Sequence, residues 1–261
     1  MYIKEVEALI NSHTIGAGYM SPGLKLSSGA NDLETYYAPF DFINRDAKVV
    51  ICGITPGKSQ ALVALDVARR TLEKGGSIEQ ALTCAKETAS FSGAMRKNLC
   101  SMLDYIGLPE KLGIACSADM FGVSSSIVHY TSALRYPVFY KGANYSGDSK
   151  MTSSTYLWSQ TLEMLSEEAS VLPNALWIPL GPKVSESLEK LANLGAIDRS
   201  RILSGLPHPS GANSERIAYF EGRKERKSLS SKVNPDLIDS AKQRLLDQLS
   251  CINRPQFSRA S

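Results

Sequence analysis

Apolar residues follow two patterns along this chain. Short runs rich in β-branched residues, bounded by polar or turn-forming positions, predict buried strands of a parallel sheet. Between them, longer segments carry an apolar residue every three or four positions, and this spacing predicts amphipathic helices. The predicted strands cover residues 48–52, 125–131, 175–180 and 201–206. The predicted helices cover residues 1–12, 60–74, 77–89, 94–106, 156–169, 183–194, 214–227 and 236–250.

Strands that alternate with helices predict the α/β class, here a three-layer α/β/α fold with a four-stranded parallel sheet. Two stretches, 13–46 and 135–155, show neither pattern and are expected to be irregular. Ligands of such sheets bind beyond the carboxyl ends of the strands. The loops at 53–59 and 206–213 each follow a predicted strand, so we expect the chemistry of the protein at that edge.

Length and composition narrow the protein class. A chain of 261 residues, 43% of them hydrophobic, can bury one sizeable core, which predicts a single domain over 1–252. This domain would include an N-terminal helix and arm (1–46) and a helical insertion (60–90), followed by a flexible tail (253–261). The net charge of +3 neither requires nor excludes a polyanionic partner. No apolar run approaches the ~18 residues of a membrane span, and residues 1–5 do not resemble a signal peptide. We expect a cytoplasmic protein without a membrane partner.

The cysteines point to the same compartment. There are five of them, an odd number, and no two are spaced as C-x-x-C. This spacing argues against a zinc site or an iron–sulfur cluster and fits a reduced cytoplasmic interior. We therefore expect no metal and no cofactor.

The first loop, Gly-Ile-Thr-Pro-Gly-Lys-Ser at 53–59, invites comparison with a phosphate-binding P-loop. Counting back from Gly57, the first glycine of that motif would fall on Cys52, so the loop is one residue short. Pro56 also lacks a backbone N–H that could contact phosphate. A P-loop-like nucleotide-binding enzyme is therefore a weaker alternative.

The second loop places one of only three histidines between two prolines. Pro207 and Pro209 fix their own φ angles and restrict the residues before them, so His208 is held in an extended conformation. A lone histidine at a turn is more often structural than catalytic. The first loop lies at the same edge of the predicted sheet, and its presence there favours a functional role for His208.

Together the two loops resemble the motifs of the uracil-DNA glycosylase superfamily. That superfamily carries G-x-[N/D]-P-[G/Y] after its first strand and H-P-S-x-x-[N/S] after its last. The matching stretches here are 53–57, Gly-Ile-Thr-Pro-Gly, and 208–213, His-Pro-Ser-Gly-Ala-Asn. The segment from Phe91 resembles the one that supplies a base-stacking aromatic, and the resemblance spans roughly residues 45–225.

The resemblance implies a monofunctional glycosylase that flips a nucleotide out of DNA and hydrolyses its N-glycosidic bond, with His208 donating to the departing base. Thr55 stands where the superfamily orients the attacking water. The residues implied to contact the base are Gly53, Ile54, Pro56, Gly57, Phe91 and Ser132. Those implied to contact DNA are Lys58, Ser59, Ser210, Gly211, Ala212, Asn213 and Arg216. Cations on the last helix of this region extend the phosphate-contacting surface, or form only a solvated helix end: Arg216, Arg223, Lys224, Arg226 and Lys227.

Departures from the superfamily pattern change the expected catalysis at Thr55 and, at Gly57, at Ser132 and in the long insertion between Thr55 and Phe91, predict a wider and less uracil-like pocket. Thr55 replaces Asn or Asp and cannot act as a general base near neutral pH. Gly57 replaces the tyrosine that excludes pyrimidines with a C5 substituent, and Ser132 replaces the asparagine that reads uracil. We therefore expect a pyrimidine with a bulky 5-substituent as the substrate, such as the glucosylated hydroxymethylcytosine of some phage DNA, in a defence against phage.

Three alternatives remain open at this point. The chain could be a repair glycosylase for uracil or mismatched bases, or the P-loop-like enzyme considered above. It could also be a non-catalytic nucleic-acid-binding module that lost the water-positioning residue. In each of the DNA-dependent cases we expect a monomer with DNA as its partner.

Overall fold

The strand that precedes the first loop, β3 (Val49–Gly53), is buried along its whole length, as its unbroken apolar sequence predicts. The computed structural model describes residues 3–91, 94–147 and 151–252. Its α-helices are α1 (Ile3–Ser12), α2 (Lys58–Glu73), α3 (Ile78–Ala89), α4 (Ala94–Tyr105), α5 (Leu108–Leu112), α6 (Thr155–Val171), α7 (Pro182–Asn193), α8 (Ser214–Phe220) and α9 (Pro235–Cys251). Its strands are β1 (Lys25–Ser28), β2 (Leu33–Tyr36), β3 (Val49–Gly53), β4 (Val128–Ser132), β5 (Val138–Tyr140), β6 (Ala143–Asn144) and β7 (Leu176–Pro179).

A three-stranded parallel sheet in the order β4-β3-β7 makes this a mixed α/β protein. Hydrogen bonds join Lys48 to Ile127 before β3 and Gly53 to Ala133 at its end, so β3 and β4 run in the same direction. The general α/β class expected from the sequence is therefore correct.

The predicted fourth strand, 201–206, is instead a single parallel bridge between Ile202 and Trp177 of β7. Leu203 donates one backbone hydrogen bond to the Trp177 carbonyl, at 2.8 Å. Beyond it, Gly205 has a φ of 141° and lies so close to the backbone of α9 that a Cβ there would be 2.6 Å from the Ala241 carbonyl oxygen. The two prolines that follow have no N–H to donate to a ladder, so the strand ends almost where it begins.

A second sheet, antiparallel and in the order β1-β2-β5-β6, occupies the two stretches that the sequence predicts to be irregular. Its strands are two to four residues long, too short to show an alternating pattern. The turns that join these strands contain the features from which the sheet could have been predicted. Asn31 and Asp32 both have positive φ, as do Lys141 and Gly142. Such residue pairs form the two-residue turns of β-hairpins.

The chain divides into two compact units, each built from three stretches. Unit 1 contains Met1–Asn44, Cys52–Ser92 and Tyr130–Val171, and unit 2 contains Arg45–Ile51, Gly93–His129 and Leu172–Ser261. The boundaries fall inside β3 and β4, so each of these strands contributes residues to both units.

The core of unit 1 forms where α1, α2 and α3 pack around small apolar residues. Alanines at 61, 64, 68, 81 and 85 are completely buried and allow α2 and α3 to approach closely. Ser77 caps α3 by accepting from the Gln80 amide, while the Gln80 side chain accepts from the Ser77 amide. His13, after α1, bonds to Asp66 of α2 at 2.7 Å and fixes the N-terminal helix to this core.

In unit 2, β7 is buried throughout and Trp177 is its largest completely enclosed side chain. Pro182 begins α7, at a position where a missing N–H costs nothing. Helix α8 ends at Phe220, shorter than the sequence pattern to 227 predicts, because Gly222 follows with a φ of 73°. The predicted tail, 253–261, lies outside the described residues.

Candidate active site

The first loop is fastened to the segment that follows β4. The Ala133 amide donates to the Gly53 carbonyl at 2.8 Å, and the Leu134 amide donates to the Ile54 carbonyl at 2.9 Å. These bonds extend the β3–β4 pairing past the last residue of each strand. The loop therefore leaves the sheet in a fixed direction, and Pro56 within it is buried.

Thr55 holds this loop to the segment that leads into β5. Its hydroxyl donates to the Tyr136 carbonyl at 3.0 Å and accepts from the Val138 amide at 3.0 Å. A hydroxyl has only one hydrogen to donate, and here that hydrogen is already used. A water molecule could reach this group only as a donor to its remaining lone pair. Thr55 therefore connects the first loop with the segment at residues 136–138, and these contacts do not support activation of water by its side chain.

The amides at the start of α2 have partners within unit 1. The Gly57 amide donates to the Gln60 side chain at 3.0 Å, and the Lys58 amide donates to Asn144 Oδ1 at 2.9 Å. A P-loop needs such amides to face a phosphate. Their use here weakens the P-loop alternative, while Lys58 and Ser59 remain exposed at the surface.

Unit 1 brings three of the proposed base-contacting residues together around Gly53. A Cβ on Gly53 would lie 3.4 Å from the Phe91 ring and 3.4 Å from Ser132 Oγ. The gap that Gly53 leaves between the edge of the Phe91 ring and the Ser132 hydroxyl is therefore about the size of a methyl group, and Gly53 itself is buried. The Phe91 ring is buried and packs against Tyr130, with ring centroids 5.8 Å apart.

Phe91 has a φ of 45°, a backbone conformation that is rare for an aromatic residue. Such a residue costs about 1–3 kcal/mol and persists only where its surroundings impose it, often at functional sites. Ser92 and Gly93, the other residues of this predicted segment, lie outside the described residues.

A buried ion pair fixes the chain around Ser132. Glu168 of α6 is completely buried and accepts from Thr131 Oγ1 and from Arg135 Nε, both at 3.0 Å. Arg135 also bonds to the exposed carboxylate of Glu167 at 2.8 Å. Thr131 and Arg135 flank Ser132 in the sequence, so this pair fixes the chain on both sides of it.

The second loop lies in unit 2, where Gly181 and α4 hold it. A Cβ on Gly181 would be 3.2 Å from His208 Cβ, and Gly181 has a φ of 92° that favours glycine. Asn98 of α4 donates from Nδ2 to the Pro209 carbonyl at 2.9 Å. Asn98 is not predictable from the sequence, because it is one of several polar residues of an amphipathic helix and nothing in that pattern indicates a contact with the second loop.

A backbone hydrogen bond determines the tautomer of the His208 imidazole. The Ser210 amide donates to His208 Nδ1 at 3.3 Å, so Nδ1 is the acceptor and Nε2 carries the hydrogen. Burial lowers the pKa of His208, so the ring is neutral at neutral pH. The result is a neutral N–H donor on a short and rigid loop.

The residues after His208 form a turn that presents small side chains. Residues 211–213 make one turn of 3₁₀ helix, in which Gly211 and Ala212 are exposed. Asn213 donates to Ser210 Oγ at 3.1 Å and accepts from Arg216 at 3.0 Å. Arg216 also donates to the Lys232 carbonyl at 2.8 Å, so this guanidinium bonds to neutral oxygens.

The other four cations of the predicted phosphate-contacting surface are in ion pairs within unit 2. Their partners are Glu221 for Arg223, Glu215 for Lys224, Asp236 for Arg226 and Glu225 for Lys227. Each pair places a carboxylate beside the cation. The alternative of a solvated helix end therefore fits these four residues better, and Arg216 remains the best candidate for a phosphate contact.

Within the described ranges, no group of three or more His, Cys, Asp or Glu residues is placed to hold a metal ion. All five cysteines are free thiols. Over the same ranges, no helix has both the length and the apolar character to cross a membrane.

Comparison with known proteins finds a bacterial relative. No protein-family model matches the chain, and no solved structure matches it. The uncharacterized protein YoxB of Bacillus subtilis (strain 168) is 40% identical over 214 residues, which cover 81% of this chain and 84% of YoxB.

Proposed function

The chain belongs to the same family as YoxB of Bacillus subtilis, and we propose that it is a monofunctional DNA glycosylase. It would hydrolyse the N-glycosidic bond of a flipped-out pyrimidine and leave an abasic site. This assignment includes a three-layer fold like that of the uracil-DNA glycosylase superfamily, a cytoplasmic monomer and DNA as the partner.

The observation that carries the proposal is the state of His208. Cleavage of the glycosidic bond leaves negative charge on the oxygen of the departing base. A neutral imidazole whose Nε2–H is assigned by the Ser210 amide can donate to that oxygen without first losing or gaining a proton. It holds this state because burial lowers its pKa.

Unit 1 supplies the features expected for base binding. In this proposal the ring of Phe91, which packs against Tyr130, and the hydroxyl of Ser132, which donates or accepts, contact the base beside Gly53, where no side chain intervenes. Stacking on an aromatic ring recovers part of the few kcal/mol that base flipping costs. A rotatable hydroxyl does not select uracil over cytosine, which agrees with a substrate other than plain uracil.

With Thr55 clamped, the proposed reaction depends mainly on stabilising the leaving group. The bond to the base would stretch first, and water would then attack an oxocarbenium-like sugar that needs little further activation. Preorganised donors of this type contribute ~10²–10³ in rate. The preferred substrate in this proposal is a 5-modified pyrimidine such as glucosylated hydroxymethylcytosine, in a defence against phage.

The test is release of free base from a panel of DNAs, scored by mass spectrometry, together with abasic sites scored by alkaline cleavage. The panel contains cytosine, uracil, a G·T mismatch, hydroxymethylcytosine and glucosylated hydroxymethylcytosine, each in single and double strands. Release that disappears in His208→Ala supports the proposal. Release from uracil or mismatched DNA alone favours the repair alternative. A shift in DNA mobility without abasic sites favours the non-catalytic module, and hydrolysis of nucleoside triphosphates favours the P-loop alternative.

A further inference from the structure

The side chain of Asn144 lies over the first loop at Gly57. Asn144 ends the two-residue strand β6, which the turn at Lys141 and Gly142 folds back onto β5. A Cβ on Gly57 would meet Asn144 Nδ2 at 3.4 Å and Asn144 Cγ at 3.8 Å. Both residues belong to unit 1.

One hydrogen bond decides which end of the Asn144 amide faces Gly57. The Lys58 amide can only donate, and it donates to Asn144 Oδ1 at 2.9 Å. The oxygen is therefore used by the loop backbone, and Nδ2 carries its two hydrogens toward Gly57. Asn144 is exposed, so a ligand that approaches Gly57 can reach these donors.

The backbone conformation at position 57 does not require glycine. Its φ is −76° and its ψ is 163°, an extended conformation that any residue adopts. A single Cβ would make only ordinary contacts there. A side chain larger than this would cover Nδ2 of Asn144 or displace it. What glycine preserves at this position is access to the amide donors.

We propose that Asn144 determines specificity by donating from Nδ2 to an oxygen on the C5 substituent of the flipped pyrimidine. This inference rests on the proposed glycosylase function. The fitting ligands are hydroxymethyl groups, with or without an attached sugar, because each presents a hydroxyl or ether oxygen that accepts. A hydrogen at C5 presents no acceptor, and neither does a methyl group. Asn144 would therefore separate oxygenated from plain or methylated pyrimidines.

The matched variant is Asn144→Asp. A carboxylate of the same shape still accepts from the Lys58 amide, but it has no hydrogen to offer. kcat/KM is measured on DNA that contains cytosine, 5-methylcytosine, hydroxymethylcytosine or glucosylated hydroxymethylcytosine. The expected result is a loss of about 10-fold on the two oxygenated bases relative to the other two, the size of one lost hydrogen bond. Asn144→Ala removes both bonds and should lower the same ratio.

Asn31→Asp is the control, because it makes the same chemical change in the same sheet, at an exposed residue of the turn between β1 and β2. It should leave the ratio unchanged. If both Asn144 variants leave the ratio of kcat/KM on oxygenated to other bases unchanged, whatever the absolute loss, the role of Asn144 is overturned while the glycosylase function stands. If the wild-type protein releases base only from uracil or mismatched DNA, this inference fails while a glycosylase function stands, and if it releases no base from any DNA of the full panel, the proposed function fails as well.

Discussion

At His208 one backbone amide decides the chemistry of the side chain. Because Nδ1 accepts from Ser210, the ring is fixed as the tautomer with its hydrogen on Nε2. The ring keeps this form only while it is uncharged, and burial favours the uncharged state. A protonated imidazole would lose the Ser210 bond, since both of its nitrogens would then donate. The loop and the protonation state therefore stabilise each other.

His208→Ala should lower kcat by ~10²-fold or more, because it removes the proposed donor to the departing base. His208→Gln keeps an N–H at a similar reach and should retain more activity than His208→Ala. Single-turnover base release measures both, with DNA affinity and thermal unfolding as controls for the fold. Equal activity in wild type and His208→Ala would remove this residue from the site.

The pH dependence follows from the lowered pKa of His208. A neutral donor is present above that pKa, which lies below the ordinary ~6.5 of histidine. Activity should therefore be level at neutral and alkaline pH. It should fall as the pH drops through the lowered pKa, because the protonated ring loses the hydrogen bond from Ser210 that orients it. His208→Gln should lack this acidic fall. A rate that instead rises toward acid would show that the protonated ring acts as a general acid.

Gly57→Tyr should block a bulky 5-modified base more than a small one. The tyrosine ring would occupy the space above the loop that Asn144 Nδ2 faces. The measurement is the ratio of kcat/KM on glucosylated hydroxymethylcytosine to that on uracil or cytosine. Gly57→Ala should shift the ratio less, since its methyl group makes only ordinary contacts. If both variants damage every substrate alike, Gly57 has only a structural role.

At the scale of elements, the buried ion pair of Glu168 and Arg135 joins α6 to the end of β4. Glu168 is completely buried, whereas its neighbour Glu167 contacts the same guanidinium from a largely exposed position, at 56% of its side-chain surface. Desolvation makes the buried partner hard to remove without leaving a charge unpaired. The exposed partner is screened by water. The two adjacent carboxylates thus provide an internal comparison.

Glu168→Gln should lower the free energy of unfolding by about 3–5 kcal/mol, because it leaves Arg135 buried without its main counter-charge. Glu167→Gln is the matched control and should cost no more than about 1 kcal/mol. Urea unfolding measures both. Similar small losses in the two variants would mean that Arg135 finds other partners or water when Glu168 is neutral.

Which elements the sequence predicts depends on whether local pattern or distant pairing forms them. The strand before the first loop and the helices α2, α3 and α4 are set by local apolar spacing and capping, and their predicted bounds are close to the observed ones. The antiparallel sheet forms by pairing between residues such as Leu33 and Tyr140, which no local pattern encodes. The prediction of a fourth strand was wrong because the apolar run pairs with β7 only at Ile202 and Leu203. The glycine and prolines that follow cannot continue the hydrogen bonding to β7.

The same distinction applies to the site. The sequence predicts both loops, because the glycines and prolines that interrupt the helix and strand patterns are a local signal. The partners of their side chains were not predictable: the clamp on Thr55 uses backbone groups of residues 136 and 138. Asn98 contacts the second loop from helix α4, and Asn144 contacts the first loop from the two-residue strand β6. The roles of His208 and Ser132 stay predictions until base release is measured.

At the scale of the whole molecule, the positive charge is small and largely compensated. The net charge is +3, and four of the five cations expected to contact phosphate have carboxylate partners. A protein of this kind gains little from counterion release. DNA binding in this proposal therefore depends on the base pocket and the loops more than on a charged surface.

Arg216→Gln should weaken DNA binding and reduce the slope of log K against log salt by about 1, the effect of one lost phosphate contact. Arg226→Gln is the matched control on the same surface, and its guanidinium is already paired with Asp236. It should leave the slope nearly unchanged. Fluorescence anisotropy over a salt series measures both. A larger effect for Arg226 would place the phosphate path along the ion-paired cations instead.

The division of the chain also has a consequence for its synthesis. Each unit is assembled from three separate stretches, so no single cut releases either unit as one fragment. A ribosome delivers the apolar strand Val49–Gly53 early, but its neighbours β4 and β7 emerge much later. The nascent chain must shield that strand throughout the interval. Translation speed and chaperone supply should therefore influence the yield of this protein more than that of a chain whose strands pair as they emerge.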